Sequence, residues 1–283
     1  MSDQLNPALR VKQALEIRFG NPMKVDPATP GLEELAHIAE HRSYRKFDSN
    51  RPVSAALLDL IFACAMSAPS KSDLQQADIV HVEDRAKVQA IADMIPDMPW
   101  IARAPVFLVF CGNNRRIRQI GEWRGKAFAN DHLDHFMNAA VDAGIILTNF
   151  IRAAEAVGMG CCPISAVRNR SQEVSDLLGL PDWVFPVAGL CAGFPGEKRD
   201  ITPRLPLDVT IHRNTFDESR VRERIDAYDR RRNDLQPFRR QRDADRHGEV
   251  PFYGWSEDKA RQYCVPEREN FGEFIRGKRF RLV

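Results

Sequence analysis

The sequence has no long apolar run and no large excess of charge of one sign. No stretch approaches the ~20 apolar residues of a membrane-spanning helix, and the N-terminus lacks the apolar core of a signal peptide. Arginine and lysine number 41 against 39 acidic residues, so the formal net charge is +2. This balance argues against wholesale binding of nucleic acid or an anionic membrane. Any anion site is therefore expected to be local.

The six cysteines include no C-x-x-C pair, and the two adjacent ones are poorly placed to bond to each other. The chain also shows no internal repeat, no convincing catalytic triad and no zinc-ligand spacing. We therefore predict a cytoplasmic protein with reduced, mostly buried thiols and no disulfide framework. The cysteines in or beside apolar segments are Cys64, Cys111, Cys161, Cys162 and Cys191.

Helical and strand-like patterns alternate through the middle of the chain. VFLVFC and FPVAGLCAGFP are continuous apolar runs of strand length, typical of strands buried on both faces. The segment from Asn130 to Val157 is the longest apolar helix pattern and is apolar nearly all round, so we place it at the centre of the fold. The alternation predicts a mixed α/β or α+β domain.

The two ends of the chain differ in composition from the middle. Residues 1–30 mix apolar and charged residues, as a surface helix or docking arm does. From Asp217 to Arg246 lie ten arginines and eight acidic residues, which predicts a helix followed by a mobile arm. The final stretch FGEFIRGKRFRLV regains apolar residues and is expected to dock on a neighbour. We predict an N-terminal extension (1–30), a core (31–215) and a C-terminal arm (216–283).

The stretch EHRSYRKF, from Glu40 to Phe47, concentrates charge. On charge alone it is typical of a solvated helix end, and Arg42 and Arg45 would share a face only on a helix. An arginine fork nevertheless suits phosphate or carboxylate oxygens bidentately. The polar loops PSKSD and ITPRLP carry further anion donors between apolar elements. Together these loops favour one large ligand with a phosphate and a polar ring.

An ordered set of motifs carries a family resemblance over roughly residues 35 to 275. HRSYRKF, APSKSDLQ, AAVDAGIILTNFIRAAEAVGMG, CPISAVRN, LLGLP and GFPGEKRDITPRLP follow one another as in the nitroreductase superfamily. The chain most resembles the branch of NADPH-dependent flavin reductases and major oxygen-insensitive nitroreductases. The resemblance implies an α+β, three-layer fold: a central, mixed but mostly antiparallel sheet flanked by helices, in an intertwined homodimer with a C-terminal extension. It also implies one FMN in each of two sites at the subunit interface.

The resemblance implies roles for individual side chains at the flavin ring. Arg45 matches the cation near flavin N1 and O2, where reduced flavin carries negative charge. Ser165 and Ala166 match the turn whose backbone N–H reaches flavin N5. The residues that match the family's phosphate and ribityl positions are His41, Arg42, Ser43 and Arg204. The residues that match the loop laid against the ring by the other subunit are Pro69, Ser70, Lys71 and Asp73.

Four positions depart from the family pattern. Asp73 stands where asparagine is usual, and an ionised carboxylate can only accept a hydrogen bond from the flavin edge. Thr202 stands where a basic residue is common, a loss that Lys71 or Lys198 could offset. The branch often has glutamine where Met98 lies. The Ser165-Ala166 pair is bulkier than the paired glycines of the closest branch.

The implied activity is FMN-dependent NAD(P)H oxidation by a ping-pong mechanism. NAD(P)H would give hydride to flavin N5, and a nitroaromatic, quinone or free flavin would then accept the electrons, with no catalytic side chain and no metal. One alternative within the fold is reductive dehalogenation or fragmentation of the flavin itself. Another is a non-catalytic flavin-binding protein that uses the arginine-rich arm.

Several further side chains have competing interpretations. His132 and His135 have the spacing of a metal pair, but without other ligands a solvated helix start is more typical. His132 and Phe128 are alternatively candidates for the rim of the substrate cavity, although packing accounts for most aromatic residues. For Trp100 and Phe136, the two alternatives are likewise stacking on the substrate and structural packing. The candidates for recognition of the 2′-phosphate of NADPH are Arg230, Arg231, Arg232, Arg239, Arg240 and Arg242.

Overall fold

The computed structural model describes residues 6–283 and divides the chain into two compact units. One, the helical unit, comprises the residues up to Arg42 together with Asp200–Glu267, and the other, the sheet unit, comprises Ser43–Arg199 together with Arg268–Val283. In chain order the elements are α1 (Pro7–Phe19), α2 (Leu32–Ala39), α3 (Ala55–Met66), β1 (Ala77–His81), α4 (Arg85–Asp93), β2 (Val106–Asn113), α5 (Arg115–Trp123), α6 (Leu133–Ala156), β3 (Gly160–Ile164), α7 (Ser171–Leu178), β4 (Val184–Gly193), α8 (Leu207–Thr210), α9 (Val221–Leu235), α10 (Ala244–His247), α11 (Trp255–Tyr263) and α12 (Phe271–Gly277). Single 3₁₀ turns occur at Lys71–Asp73, Ile101–Arg103 and Ser165–Arg170.

The sheet unit is built on four strands in the order β1-β2-β4-β3, and every strand pair is antiparallel. In β2, every residue is buried, as the continuous apolar run predicts. Val106, Leu108 and Phe110 face a core shared with α3 and α6, while Phe107 and Val109 face a second core with α4. Helices therefore cover both faces of the sheet, and the predicted α+β class is confirmed.

Helix α6 begins at Leu133, a little later than the predicted start at Asn130. Ala139, Ala143 and Phe150 on one face are fully buried against the sheet. On the other face, Met137 and Val141 remain about half exposed, at 56% and 45%. The helix is thus apolar on two faces but buried on one, where it packs against α3 and all four strands, as its predicted central position requires.

The helical unit starts with α1 packed on α2. Val11 and Ala8 of α1 bury their side chains against Leu32 and Ala36 of α2. Asn6 caps α1 by accepting from the backbone N–H of Ala8 at 2.9 Å. The predicted surface helix therefore has a buried apolar face of its own.

The segment predicted to be a mobile arm is instead fixed by hydrogen bonds. The Tyr253 hydroxyl accepts from the Arg242 N–H at 2.9 Å and donates to Asp258 Oδ1 at 3.0 Å. Gln241 exchanges two hydrogen bonds with the backbone of Val250. The prediction was wrong because the charged side chains cover a small buried cluster of tyrosine and aspartate rather than a solvated coil.

The C-terminal tail also differs from its prediction. Phe274, Ile275 and Phe280 are buried against Phe185 of β4 and Ala139 of α6, inside the sheet unit itself. The tail therefore docks on its own unit rather than on a neighbour.

All six cysteines are free, and Cys111, Cys161, Cys162 and Cys191 are buried. Between residues 6 and 283, no helix is both long and apolar enough to cross a membrane.

Candidate functional site

The charged stretch that begins at Glu40 is extended, not helical. Helix α2 ends at Ala39, so the reading of the stretch as a helix end is wrong beyond Glu40. Ser43 forms a parallel bridge with Cys161 of β3, and the Tyr44 N–H donates to the Cys161 carbonyl at 2.9 Å. Phe47 pairs with Pro195 just beyond β4. The segment from Ser43 onward therefore runs along one edge of the sheet.

Glycines make room for the aromatic residues of this stretch. A Cβ on Gly160 would lie 2.4 Å from the Tyr44 ring, and one on Gly193 would lie 3.0 Å from the Phe47 ring. The first distance is too short for a real side chain, and the second would force the Phe47 ring to shift slightly. Tyr44 and Phe47 thus fix the edge segment, and Ser43 and Arg45 are carried on it.

Arg45 is exposed, and its guanidinium lies 5.4 Å from the centre of the Trp100 ring. Burial raises the pKa of the nearby Cys162 thiol, and the positive charge of Arg45 opposes that shift. No ion pair of Arg45 occurs within residues 6–283. Its charge is therefore free to meet an anionic or electron-rich group.

The loop after Pro69 is held by a buried carboxylate from α6. Asp142, 1% exposed, accepts from the Ser70 hydroxyl at 2.7 Å, the Lys71 N–H at 3.1 Å and the Gln76 N–H at 3.3 Å. The Ser70 Oγ in turn accepts from the Gln75 N–H at 2.7 Å. Ser70 is therefore engaged in shaping its own loop, and Asp142 is a positioning residue that the sequence patterns did not reveal.

Three residues of this loop adopt left-handed backbone angles. Ser72, Asp73 and Gln75 have φ of 52°, 55° and 50°. Such angles cost free energy for residues with a side chain. Asp73 and Lys71 are exposed, and Asp73 Oδ1 accepts from the Gln75 side chain at 3.1 Å. Among the described residues, no hydrogen bond joins this loop to Ser43 or Arg45.

The turn after β3 contains the other residues predicted near the flavin. Ala166 is buried, and the Ser165 hydroxyl accepts from Arg268 Nη2 at 3.3 Å. Arg268 also donates from Nε to Asn169 Oδ1 at 2.7 Å. Arg268 was not predicted, because it follows Ser165 by 103 residues and belongs to no local motif.

The helical unit carries the remaining predicted phosphate ligands. Arg42 Nη1 donates to the Glu40 carbonyl at 2.9 Å, whereas its Nε–H is buried and meets no acceptor in the described part of the chain. Arg204 is exposed, and within residues 6–283 its side chain makes one hydrogen bond, to the neighbouring Pro203 carbonyl at 3.5 Å. The backbones of His41 and Arg204 come together through Arg18, which hydrogen-bonds to both.

The candidate substrate residues of the sheet unit, Phe128 and His132, differ in their surroundings. Phe128 packs against the buried His135, with 4.8 Å between ring centres, and under the Arg118 guanidinium at 4.2 Å. Burial and the charge of Arg118 lower the pKa of His135 to about 4, so this imidazole is neutral at pH 7. His132 is exposed just before α6. Among described residues, no group of three or more histidine, cysteine or acidic side chains could hold a metal ion.

The arginines proposed to recognise NADPH have unequal surroundings. Arg231 donates to three backbone carbonyls, Arg232 donates to the Gln236 carbonyl, and Arg242 pairs with Asp258 at 3.4 Å. Arg239 and Arg240 are exposed beside a surface pocket of about 590 Å³. Arg230 is exposed as well, so within residues 6–283 the candidates that remain available to a ligand are Arg230, Arg239 and Arg240.

The other two aromatic candidates serve packing. Phe136 packs on Phe185 and Phe280 with ring centres 4.7 and 5.6 Å apart. Trp100 packs with Met98 on the core cluster that covers α4. Met98 therefore has a structural role in this unit.

The hydrogen-bond donors and positive charges of the predicted residues suit a phosphorylated, ring-containing ligand. Arg42 has a buried donor without an acceptor, and Arg204 and Arg45 have no carboxylate partner among residues 6–283. Unneutralised guanidinium groups near a polar segment are the donors that phosphate requires.

Comparisons with known proteins agree with this chemistry. The sequence profile of the Nitroreductase family matches residues 38–194, and that of the Nitroreductase family, C-terminal domain, matches residues 202–283. An FMN reductase (NAD(P)H) of Bacillus subtilis is 36% identical over 200 residues, which cover 70% of this chain and 80% of that protein. An oxygen-insensitive NADPH nitroreductase of Salmonella typhimurium is 35% identical over 179 residues, 63% of this chain and 72% of that one.

A solved structure shares the fold over nearly its whole length. The NADPH:FMN oxidoreductase of Vibrio harveyi, solved in complex with NAD⁺, superposes with a TM-score of 0.75 at 28% identity, covering 87% of this chain and 97% of that one. The antiparallel sheet, the extended arginine-bearing segment and the two matching profiles lead to one assignment: this chain belongs to the nitroreductase family.

Proposed function

We propose that this protein is an FMN-dependent NAD(P)H oxidoreductase that reduces nitroaromatics, quinones or free flavin. The observation that carries the proposal is that Arg42, Arg45 and Arg204 have no carboxylate partner in the described part of a chain of this family. FMN, when bound, supplies the hydride transfer from NAD(P)H to the oxidant. The chain's own residues bind and orient the reactants.

The proposed phosphate and ribityl ligands are His41, Arg42, Ser43 and Arg204. The buried Nε–H of Arg42 gains an acceptor when a phosphate is present, which offsets the cost of its desolvation. Arg45 places positive charge where negative charge develops on the reduced ring. Ser165 and Ala166 supply the backbone turn at the reacting edge, and Arg268 holds the Ser165 hydroxyl.

We further propose that the protein works as a homodimer. Met137, Val141 and Leu133 expose apolar surface along α6. The loop from Pro69 to Asp73 follows α3, and Pro69 and Val141 help to line a groove of about 470 Å³. A second copy would cover this surface and bring Lys71 and Asp73 to the partner's ring. Phe128, His132 and Arg239 are proposed to contact the reductant or the oxidant.

Two other parts of the proposal rest on sequence alone. The first is the division into an N-terminal extension (1–30), an FMN-binding core (31–215) and a C-terminal extension (216–283). The second is a cytoplasmic location, which the reduced cysteines favour.

The deciding experiment is flavin release from the purified protein, followed by anaerobic stopped-flow reduction with NADPH and NADH. We expect a yellow protein that releases FMN on denaturation, is reduced by a pyridine nucleotide and is reoxidised by a quinone or nitroarene. A colourless protein that contains no flavin would refute the proposal. Turnover of only a halophenol, or of reduced FMN with oxygen, would move the assignment to a different chemistry on the same fold. Turnover that exceeds the flavin content would exclude a purely flavin-binding role.

Arg45→Ala tests the cation at the ring. We expect weaker FMN binding and a lower reduction potential, because the reduced ring loses its positive neighbour. Arg51→Ala is the matched control, since Arg51 carries the same charge but stacks on Phe194 at 3.8 Å. Equal potentials in wild type and Arg45→Ala would refute this role for Arg45.

A further inference from the structure

Helix α1 precedes both matching family profiles, which begin at residues 38 and 202. Its last turn nevertheless contains an arginine that is 94% buried, because only 6% of Arg18 is exposed. Arginine is rarely buried to this extent unless its donors are satisfied. The surroundings of Arg18 therefore need an explanation.

The Arg18 guanidinium donates to backbone carbonyls in the two segments that carry the predicted phosphate ligands His41, Arg42 and Arg204. Nε donates to the Ala39 carbonyl at 2.7 Å, and Nη2 donates to the His41 carbonyl. Nη1 donates to the Thr202 carbonyl at 3.1 Å. One planar group thus fixes the end of α2 and the backbone that leads into Arg204.

The backbone of Arg18 closes the same network. Its carbonyl accepts from the Arg204 N–H at 2.7 Å and from Arg231 Nη2 at 2.8 Å. Arg231 also donates to the carbonyls of Arg204 and Ile17, each at 3.0 Å. A Cβ on Gly20 would lie 2.7 Å from Arg231 Cδ, so the glycine that ends α1 allows this arginine to cross.

We propose that Arg18 is a positioning residue for the FMN phosphate, and that α1 is thereby part of the cofactor site. Arg18 does not itself meet the ligand. It holds the backbones of His41 and Arg204 at a fixed separation, so that their side chains and that of Arg42 converge on one phosphate. A lysine, with one point charge in place of a planar fork, cannot reach three carbonyls in this geometry. The inference rests on the proposed function.

The test compares FMN with riboflavin, which has the same ring and ribityl chain but no phosphate. Apoprotein of wild type, Arg18→Met and Arg18→Lys is titrated with each ligand, and quenching of flavin fluorescence gives the two dissociation constants. We expect Arg18→Met to weaken FMN binding about tenfold or more and riboflavin binding less than about threefold. Arg18→Lys should fall between wild type and Arg18→Met.

Val11→Ala is the matched control for a purely structural role. It loosens the packing of α1 on α2 without touching any carbonyl of the network. We expect a lower unfolding temperature with an unchanged ratio of FMN to riboflavin affinity. Should Arg18→Met fail to fold, Arg18→Lys and Arg231→Lys carry the same comparison.

Equal losses for FMN and riboflavin in the Arg18 variants would overturn the inference, because Arg18 would then act on the fold alone. Failure of the wild-type apoprotein to bind FMN would instead refute the proposed function. The two failures are therefore distinguishable.

Discussion

In the sheet unit, Phe107, Phe110 and Phe150 are at most 1% exposed, whereas the helical unit buries Arg18, Asp229 and Arg261 at 3–6% exposure. Apolar packing is not directional. The sheet unit is therefore fixed by the alternation of side chains between the two faces of its strands and by the volume of its core side chains. Hydrogen bonds are directional and costly to leave unmade, so the helical unit depends on individual donors and acceptors. The difference shows that a charge-rich segment can be ordered when its charged side chains form hydrogen bonds with backbone groups.

The largest effect is expected from the apolar core of the sheet unit. Phe150 is fully buried and contacts the rings of Phe62 and Phe110 at 5.7 and 5.9 Å between centres. Phe150→Ala should lower the free energy of unfolding by about 4 kcal/mol, measured by urea denaturation. Phe150→Leu, which keeps most of the volume, should cost less than half as much. A loss of unfolding free energy below about 2 kcal/mol in Phe150→Ala would show that apolar packing holds the sheet unit less strongly than we infer.

A polar group inside the sheet unit tests whether directionality matters there too. Asp142→Leu leaves the Ser70 hydroxyl and two backbone N–H groups without their acceptor, so we expect a loss of about 3 kcal/mol. Trypsin should then cleave faster after Lys71. Asp134→Asn is the control, since Asp134 is exposed on the same helix. Unchanged cleavage in Asp142→Leu would contradict its hold on the loop.

The buried imidazole of His135 should make the sheet unit sensitive to acid. Its pKa falls from 6.5 to about 4 on folding, so the unfolded chain binds the proton first as pH drops. Stability should therefore be lost between about pH 6.5 and 4, by roughly 2 kcal/mol at pH 4.5. His135→Asn should flatten that part of a curve of unfolding temperature against pH. An identical curve for both proteins would contradict the buried, neutral state.

A single hydrogen bond in the helical unit should have a smaller but measurable effect. The Tyr228 hydroxyl donates to the Pro203 carbonyl at 3.2 Å, next to Arg204. Tyr228→Phe removes only this donor and should cost about 1 kcal/mol in urea unfolding. No loss would mean that the carbonyl is satisfied by other groups.

The smallest effect is expected at the surface of the same unit. Arg220 pairs with Glu223 at 2.7 Å, but both side chains are exposed. Because water screens such pairs, Arg220→Ala should leave the unfolding midpoint unchanged within error. A clear shift would show that surface charge, and not only buried charge, holds this unit together.

Elements with a strong local pattern were predictable from the sequence. The buried strand at Val106–Asn113 and the long helix at Leu133–Ala156 follow from continuous apolar runs, and only the helix start was misplaced. The family resemblance also led to the correct α+β class. The arginine motif was recognised as more than a solvated helix end only through its context.

Contacts between distant residues were not predictable. Asp142 lies 72 residues from Ser70 and is hidden in an apolar helical pattern, so nothing local marks it as the acceptor for a loop. Arg18 is likewise 184 residues from Thr202. The supposed mobile arm was misjudged for the same reason, since its order comes from pairs such as Tyr253 and Asp258 that composition does not reveal. The roles of the individual site residues remain predictions.

The left-handed angle at residue 73 limits which amino acids evolution or a protein engineer can place there. Glycine, asparagine and aspartate accept such an angle readily, whereas valine, isoleucine and threonine do not. Asp73 therefore belongs to the few residue types that this backbone conformation permits. At position 73 the backbone angle thus limits the tolerated residue types first. The chemistry of the ligand can favour one residue over another only within that limited set.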